Sequence, residues 1–357
     1  MQESSIELNF LSLFSFLSFF IFLIIIKFSN KIANGLLIDD NFTKPQSFHD
    51  APIPRSGGLA SFVCFIIFFI LHHYIFNHSY LDYIFIGFCL FSIGFIDDIK
   101  YNLSPKTRLA LMIFVLSLGV SLFPLSLSQI DFIFLQNLLE NKLFLNIFLT
   151  LCFLFVVNGA NLVDGFNGLL SIHLIIINLI LLYINLESKN LDYSVLIVSQ
   201  IIILLVFTLF NFPKAKVFLG DSGAYLHGSI TALNVINTDG LNNQISSFFF
   251  CILLFYLFFE VFFSFFRKLL LKRSPLKPDN IHLHMITYKF LKTKFQNKDC
   301  NYLNSIVINL SYLILIIPAL VLKENGLFCK FWFLFTLIIY VIFYFRLYRF
   351  TKNQINI

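Results

Sequence analysis

Charge is scarce in this 357-residue chain: Asp, Glu, Lys and Arg together supply 12% of it, about half the share of an ordinary soluble domain. That leaves little material for a sizeable soluble domain, and no nucleic-acid partner is expected. Cysteine is sparse too. The six thiols, at 64, 89, 152, 251, 300 and 329, show no paired spacing, and four lie inside apolar runs. They read as small core hydrophobes, which excludes a disulfide framework and a thiolate metal site. No Lys or Arg precedes the first apolar run, Phe10 to Phe28, and no small-residue cleavage pattern follows it. That run is expected to be retained as a helix, not removed as a signal peptide. No internal repeat is evident.

What fills the chain is apolar: 58% hydrophobic residues, with 50 Phe, 14 Tyr and 1 Trp. Several stretches reach the roughly 20 residues that cross ~30 Å of hydrocarbon as a helix. Continuous Phe, Leu and Ile leave no room for the alternating polar lumen of a barrel. The expected fold is all-α, one polytopic transmembrane helical bundle over 1–357. Its spans lie near 10–28, 59–76, 80–96, 109–123, 143–157, 168–186, 193–210, 223–236, 247–266, 303–322 and 327–346. That makes eleven, or ten if the short eighth, which holds Thr231 and Asn234, is not a span.

Loop charge sets the orientation. With the N-terminus outside and the C-terminus in the cytoplasm, 21 of the 25 Lys and Arg face inward, leaving Lys142, Lys189, Lys323 and Lys330 outside. The one sizeable loop, 267–302, is basic and cytoplasmic, with nine Lys or Arg between Arg267 and Lys298 against Asp279. Contact with anionic lipid is its simplest role. The same orientation sorts the polar motifs onto one face. Pro54-Arg55-Ser56-Gly57-Gly58, Asp97-Asp98, Asn158 to Gly168, Phe218 to Gly223 and the segment with His282 and His284 all fall on inner loops. One cytoplasmic site assembled from five loops is the economical arrangement.

Each motif has a chemistry and a plainer explanation. Two adjacent carboxylates, Asp97 and Asp98, repel at a membrane rim unless a cation sits nearby or one takes a proton. Mg²⁺ suits them, being held by one or two carboxylates plus phosphate oxygens; the alternative is an acidic helix end in solvent. Asn161, Asp164 and Asn167 recur every third residue, forming a helical stripe, while Gly165 and Gly168 break the helix and admit a ligand. Capping and turn chemistry accounts for one or two of these residues, not the set. Asp221 lies between Gly220 and Gly223, in a loop suited to phosphate and within reach of a metal on it; a plain turn and cap is the other reading. His282 and His284 lack a third or fourth zinc ligand. With Arg267, Arg273 and Lys277 they suit a diphosphate clamp instead, unless they are merely solvated. Glu260, ionisable inside a span, is a functional candidate or a partner for a basic residue in the bundle.

Taken in order, the five motifs over roughly residues 30 to 290 resemble the polyprenyl-phosphate N-acetylhexosamine-1-phosphate transferase family, of glycosyltransferase family 4 type, which includes phospho-N-acetylmuramoyl-pentapeptide transferase. The resemblance implies transfer of a sugar 1-phosphate from a UDP-N-acetylhexosamine to undecaprenyl phosphate, releasing UMP, at the cytoplasmic face of a bacterial inner membrane. It implies Mg²⁺, with Mn²⁺ as a substitute. Asp97, Asp98, Asp164 and Asp221 would be catalytic, and Asp98 and Asp221 would hold the metal. Asn161, Asp164, Gly165, Asn167 and Arg55 would bind the nucleotide sugar, and His282, His284 and Arg273 the diphosphate. A homodimer is a candidate assembly. Many relatives have Asp where Asn167 stands and a third His where Met285 stands; Asn167 therefore cannot neutralise a cation. These features, with Glu260 and the Arg-rich stretch, resemble the branch that starts O-antigen or capsule-type polysaccharides more than the peptidoglycan branch. A transporter is the alternative from another class, but its polar residues would gather near the bilayer midplane. A catalytically dead scaffold is disfavoured by the presence of all four aspartates.

Overall fold

A computed structural model of the chain describes residues 2–39, 52–101, 103–128, 130–275, 279–296 and 299–355. Its first half runs through α1 (Gln2–Phe28), the two-residue antiparallel strands β1 (Ile38–Asp39) and β2 (Ile53–Pro54), α2 (Gly57–Phe76), α3 (Leu81–Asp98), α4 (Pro105–Leu122), α5 (Ile133–Leu139) and α6 (Lys142–Val163). Then follow α7 (Leu169–Glu187), α8 (Leu191–Asn211), α9 (Gly220–Leu241), α10 (Ser247–Leu253), α11 (Phe255–Leu270), α12 (Leu283–Lys294), α13 (Cys300–Val321) and α14 (Gly326–Ile355). The fold is an all-α polytopic membrane bundle. All six cysteines are free.

Several helix starts carry their own caps. Ser104 accepts from the Thr107 N–H ahead of α4, with Pro105 at the first helical position. Asn141 accepts from Leu143 and Phe144 at α6, and Asp299 from Asn301 at α13. Such side chains satisfy N–H groups that a helix cannot pair internally.

Helix α9 lies at the centre, packed by α2, α3, α6 and α7, and nearly every residue from Gly220 to Asp239 is buried. Its polar groups find partners on the surrounding helices. Asn234 donates to Asn178 and to Gln200, each at 2.9 Å, and accepts from the Tyr83 hydroxyl at 2.9 Å. Gln200 in turn donates to Thr231 at 2.9 Å. Interhelical hydrogen bonds of this kind contribute on the order of 0.6 kcal/mol each in a membrane.

By length and composition, eight described helices can cross a membrane, or nine if α10 and α11, bent by 76°, form one span. The eleven stretches expected from hydropathy all fall on helices, but α3 and α9 do not meet this test. Helix α3 carries Asp82, Asp97 and Asp98, and α9 is rich in Ser, Thr and Asn. Its neighbours shield α9 from lipid, so it has no need of an apolar surface. The segment expected as one basic loop contains the helix α12; Lys277 and Lys298, and Lys44 nearer the N-terminus, lie outside the described residues.

Candidate active site

The first and fourth motifs meet along their backbones. The Gly57 and Gly58 N–H groups donate to the Phe218 and Leu219 carbonyls at 3.0 and 2.8 Å, and the Phe218 N–H donates to the Pro54 carbonyl at 2.8 Å. Helices α3 and α9 also approach closely. A Cβ on Gly94 would lie 2.5 Å from the Ser222 nitrogen, so only glycine permits the contact. Gly220 opens α9 at φ +76°, and a Cβ there would meet the Asp98 carboxylate at 2.6 Å.

These contacts bring three of the expected aspartates together. The Asp98 carboxylate is buried and accepts from the Asp221 N–H at 3.0 Å and the Ser222 N–H at 2.9 Å, two unpaired donors in the first turn of α9. Asp98, expected as a metal ligand, thus has both oxygens committed to the neighbouring helix. Asp97 and Asp221 share Arg108, whose Nη1 donates to both, at 2.9 Å for Asp221. Arg55 donates to Asp39 from Nε at 3.0 Å and stands 3.9 Å from Asp98.

The second motif brings a fourth carboxylate. Asp164 ends α6, its N–H donating to the Ala160 carbonyl at 3.1 Å, while its carboxylate makes no hydrogen bond or ion pair among the described residues. Burial, then the nearby Asp221 charge, pushes its carboxyl up to about 7, with Arg55 opposing. Beside it, a Cβ added to Gly165 would meet no atom within 4 Å, leaving open space at the site. Asn161 lies one helical turn before Asp164. Asn167, expected to face a nucleotide, is instead tied down, donating from Nδ2 to the Pro213 carbonyl at 2.9 Å and from its N–H to Asn301 at 2.8 Å.

The fifth motif departs furthest from expectation. His282 and His284 are both buried, their rings parallel with centroids 5.6 Å apart. His282 Nδ1 lies 3.1 Å from Glu260 and Nε2 3.1 Å from Asp279. Both ring nitrogens are therefore engaged by the protein and none is left to grip a diphosphate. Burial alone would lower the His282 pKa, but the hydrogen bonds to Asp279 and Glu260 overcome it and raise it above the ordinary histidine value. His284 differs. Burial pushes it down to about 3, so its ring is neutral at physiological pH. Its Nδ1 is 3.2 Å from the Tyr256 hydroxyl, while Nε2 has no partner among the described residues. His284 also packs edge-on against Phe166, two residues past Asp164, at 5.8 Å. Arg273 is exposed and joins none of these groups; Arg267 sits there instead, donating to Asp279 at 2.7 Å.

Two participants escaped the sequence reading. Arg108 counted only as an inward-facing cation, although its place in the first turn of the helix after Asp97-Asp98 was a usable signal. Tyr225, one turn along α9 from Asp221, has a buried hydroxyl without a partner among the described residues.

Among the described residues, no three carboxylates, imidazoles or thiols could hold a metal ion between them. The donor set still fits Mg²⁺, which keeps several waters and is bound by one or two carboxylates together with substrate phosphates. Among the described residues, Asp98 pairs with Arg55 and both Asp97 and Asp221 pair with Arg108, while Arg55 is shared with Asp39.

A sequence profile of glycosyl transferase family 4 matches residues 80–239, the stretch from the start of α3 to the end of α9 that holds all four aspartates. The chain is 29% identical over 309 residues to the "probable undecaprenyl-phosphate N-acetylglucosaminyl 1-phosphate transferase" of Bacillus subtilis, covering 83% of this chain and 80% of that protein. It is 26% identical to the undecaprenyl-phosphate alpha-N-acetylglucosaminyl 1-phosphate transferase of Thermotoga maritima, covering 69% of this chain and 74% of the relative. The phospho-N-acetylmuramoyl-pentapeptide-transferase of Dictyoglomus thermophilum is 30% identical, with 62% of this chain and 73% of that protein covered. Similarity that extends across most of these relatives, and is centred on the helices carrying the aspartates, means that the chain belongs to glycosyl transferase family 4.

Proposed function

We propose that this protein transfers N-acetylglucosamine 1-phosphate from UDP-N-acetylglucosamine to undecaprenyl phosphate, releasing UMP, at the cytoplasmic face of a bacterial inner membrane. The observation that carries this reading is the cluster of four aspartates and two arginines beside open space at Gly165. Relatives named as undecaprenyl-phosphate N-acetylglucosaminyl 1-phosphate transferases support the choice of sugar and acceptor. The lipid-linked product would start a surface polysaccharide of O-antigen or capsule type.

In the reaction a lipid phosphate oxygen bonds to the phosphorus that carries the sugar. The bond from that phosphorus to the bridging oxygen breaks, and UMP departs with the oxygen. Such a transfer needs in-line placement and charge neutralisation more than covalent help. Mg²⁺, when bound, neutralises diphosphate oxygens, and Asp221 is the carboxylate that would hold it. We assign Asp98 to the N-terminus of α9, where it orients Asp221. Asp97 and Arg108 flank the lipid phosphate, with Arg108 supplying positive charge. Asp164 and Asn161 line the nucleotide side beside the space at Gly165, and Arg55 lies within reach of the sugar phosphate. With Tyr256 donating to Nδ1, the neutral His284 ring carries its proton on Nε2 and offers a hydrogen bond from that N–H to a diphosphate oxygen.

Purified protein with Mg²⁺, undecaprenyl phosphate and a panel of UDP-N-acetylhexosamines tests the proposal. UMP release with UDP-N-acetylglucosamine is expected. Folded protein that releases none from any sugar would overturn it, and release with another sugar alone would overturn the choice of substrate.

A further inference from the structure

The last helix lies outside the family profile, yet it reaches the histidine segment. The Tyr340 hydroxyl of α14 donates to Glu260 Oε2 at 2.5 Å. The other oxygen of Glu260 accepts from His282 Nδ1 and from the Leu283 N–H, each at 3.1 Å. Across the ring, Asp279 faces His282 Nε2 at 3.1 Å and accepts from Arg267 at 2.7 Å. Arg267 also donates to the Tyr344 hydroxyl and the Ile281 carbonyl, both at 2.7 Å, and the Tyr344 hydroxyl donates to that carbonyl at 2.9 Å. Lys268 completes the surroundings, 3.8 Å from Asp279.

An ionised carboxylate only accepts hydrogen bonds. Carboxylates on both sides of one imidazole therefore require a proton on each nitrogen, and His282 is an imidazolium. Its ring is the base on which His284 stacks, and Asn304 of α13 holds the His284 carbonyl at 3.0 Å. We propose that Tyr340 is a positioning residue: through Glu260 it holds His282 doubly protonated and in register, and so sets the direction of the unpaired His284 Nε2. The inference rests on the transferase reading for its consequence in catalysis, but not for the state of His282. Nothing in the network needs Tyr340 to touch substrate. Its ring packs among Phe255, Phe259 and Phe263, so Tyr340→Phe removes one hydroxyl and keeps the packing.

Two measurements test this on the full-length protein in detergent or nanodiscs. In steady-state UMP release, Tyr340→Phe should lower kcat about tenfold to a hundredfold, the range expected when a reacting contact is misplaced, with KM for UDP-N-acetylglucosamine and the melting temperature close to wild type. In ¹⁵N-histidine NMR, assigned by loss of the signal in His282→Gln, His282 should carry protons on both nitrogens at pH 8, and Glu260→Gln should abolish that signature. An unchanged kcat in Tyr340→Phe, or a neutral His282 in the wild type, would overturn the proposal. If the wild type releases no UMP at all, the transferase reading fails on its own, and the imidazole spectrum still decides whether the brace exists.

Discussion

The aspartate cluster and the histidine segment use similar side chains to opposite ends. Among the described residues, Asp39, Asp97, Asp98, Asp164 and Asp221 stand around Arg55 and Arg108, an excess of negative charge with the Asp164 carboxylate unpaired and open space alongside. Around His282 stand two carboxylates, Glu260 and Asp279, and neither lacks a cationic partner: His282 itself faces both, and Arg267 and Lys268 also face Asp279. Unmatched negative charge in a partly dehydrated place attracts cations, and through them phosphates. Matched and buried charge has little left to bind; it fixes geometry. The first region reads as the place of reaction and the second as its support.

Exchanging single groups in each region should expose that difference. The largest effect is expected from Asp221→Asn. UMP release should fall about 10²–10³-fold, the scale of losing one electrostatic contact to a transition state, with no change in thermal midpoint. Asp98→Ala should reduce activity as well, but with destabilisation of about 1–3 kcal/mol, because two N–H groups in the first turn of α9, that of Ser222 buried, lose their acceptor. A thermal scan separates these variants, and an unaltered midpoint for Asp98→Ala would remove Asp98 from its capping role.

Arg108→Gln sharpens the assignment of the cluster. Arg108 donates to Asp221, the carboxylate that would hold the metal. Removing it should slow turnover about tenfold, within the range for one stabilising donor or cation, yet lower the Mg²⁺ concentration for half-maximal rate. A titration in which more Mg²⁺ is needed would show that Arg108 and the metal do not compete.

The smallest effect concerns pH. His282 has a raised pKa in the fold, so its contribution to stability is complete below the ordinary histidine value and is lost as pH rises through the raised one. Against burial, His282 and then Arg267 hold Asp279 well below the usual carboxylate range. Its contribution is present above that range and lost as pH falls through the lowered value. The thermal midpoint should therefore be highest in mildly acidic buffer and fall by a few degrees towards alkaline pH. Glu260→Gln should flatten the alkaline fall.

The aspartate cluster was largely legible in the sequence, because its groups are polar residues interrupting apolar runs. Asp97-Asp98, Asp164 and Asp221 stood out for that reason. The partner that links two of them did not, since a lone arginine in the first turn of α4 looks like an ordinary helix-start cation. Helix α9 looked like a weak span because hydropathy assumes contact with lipid, whereas nearly all of this helix up to Asp239 is buried in protein. Glu260 was noticed as an ionisable group within a span, but its partners proved to be a histidine and a tyrosine. Tyr340 and Tyr344 were hidden in a run of Phe, Ile and Tyr, where nothing distinguishes a hydroxyl aimed at a carboxylate from one aimed at the bilayer surface. His282 and His284 were visible as a pair. Only the fold reveals that one is saturated and the other is not.

Binding of Mn²⁺, followed by electron paramagnetic resonance on purified wild type, Asp221→Asn and Tyr340→Phe in the presence of UDP-N-acetylglucosamine, tests the division most directly. Bound ion in the wild type and in Tyr340→Phe, with loss in Asp221→Asn, is the predicted result. Retention of the ion by Asp221→Asn, or its loss from Tyr340→Phe, would contradict it.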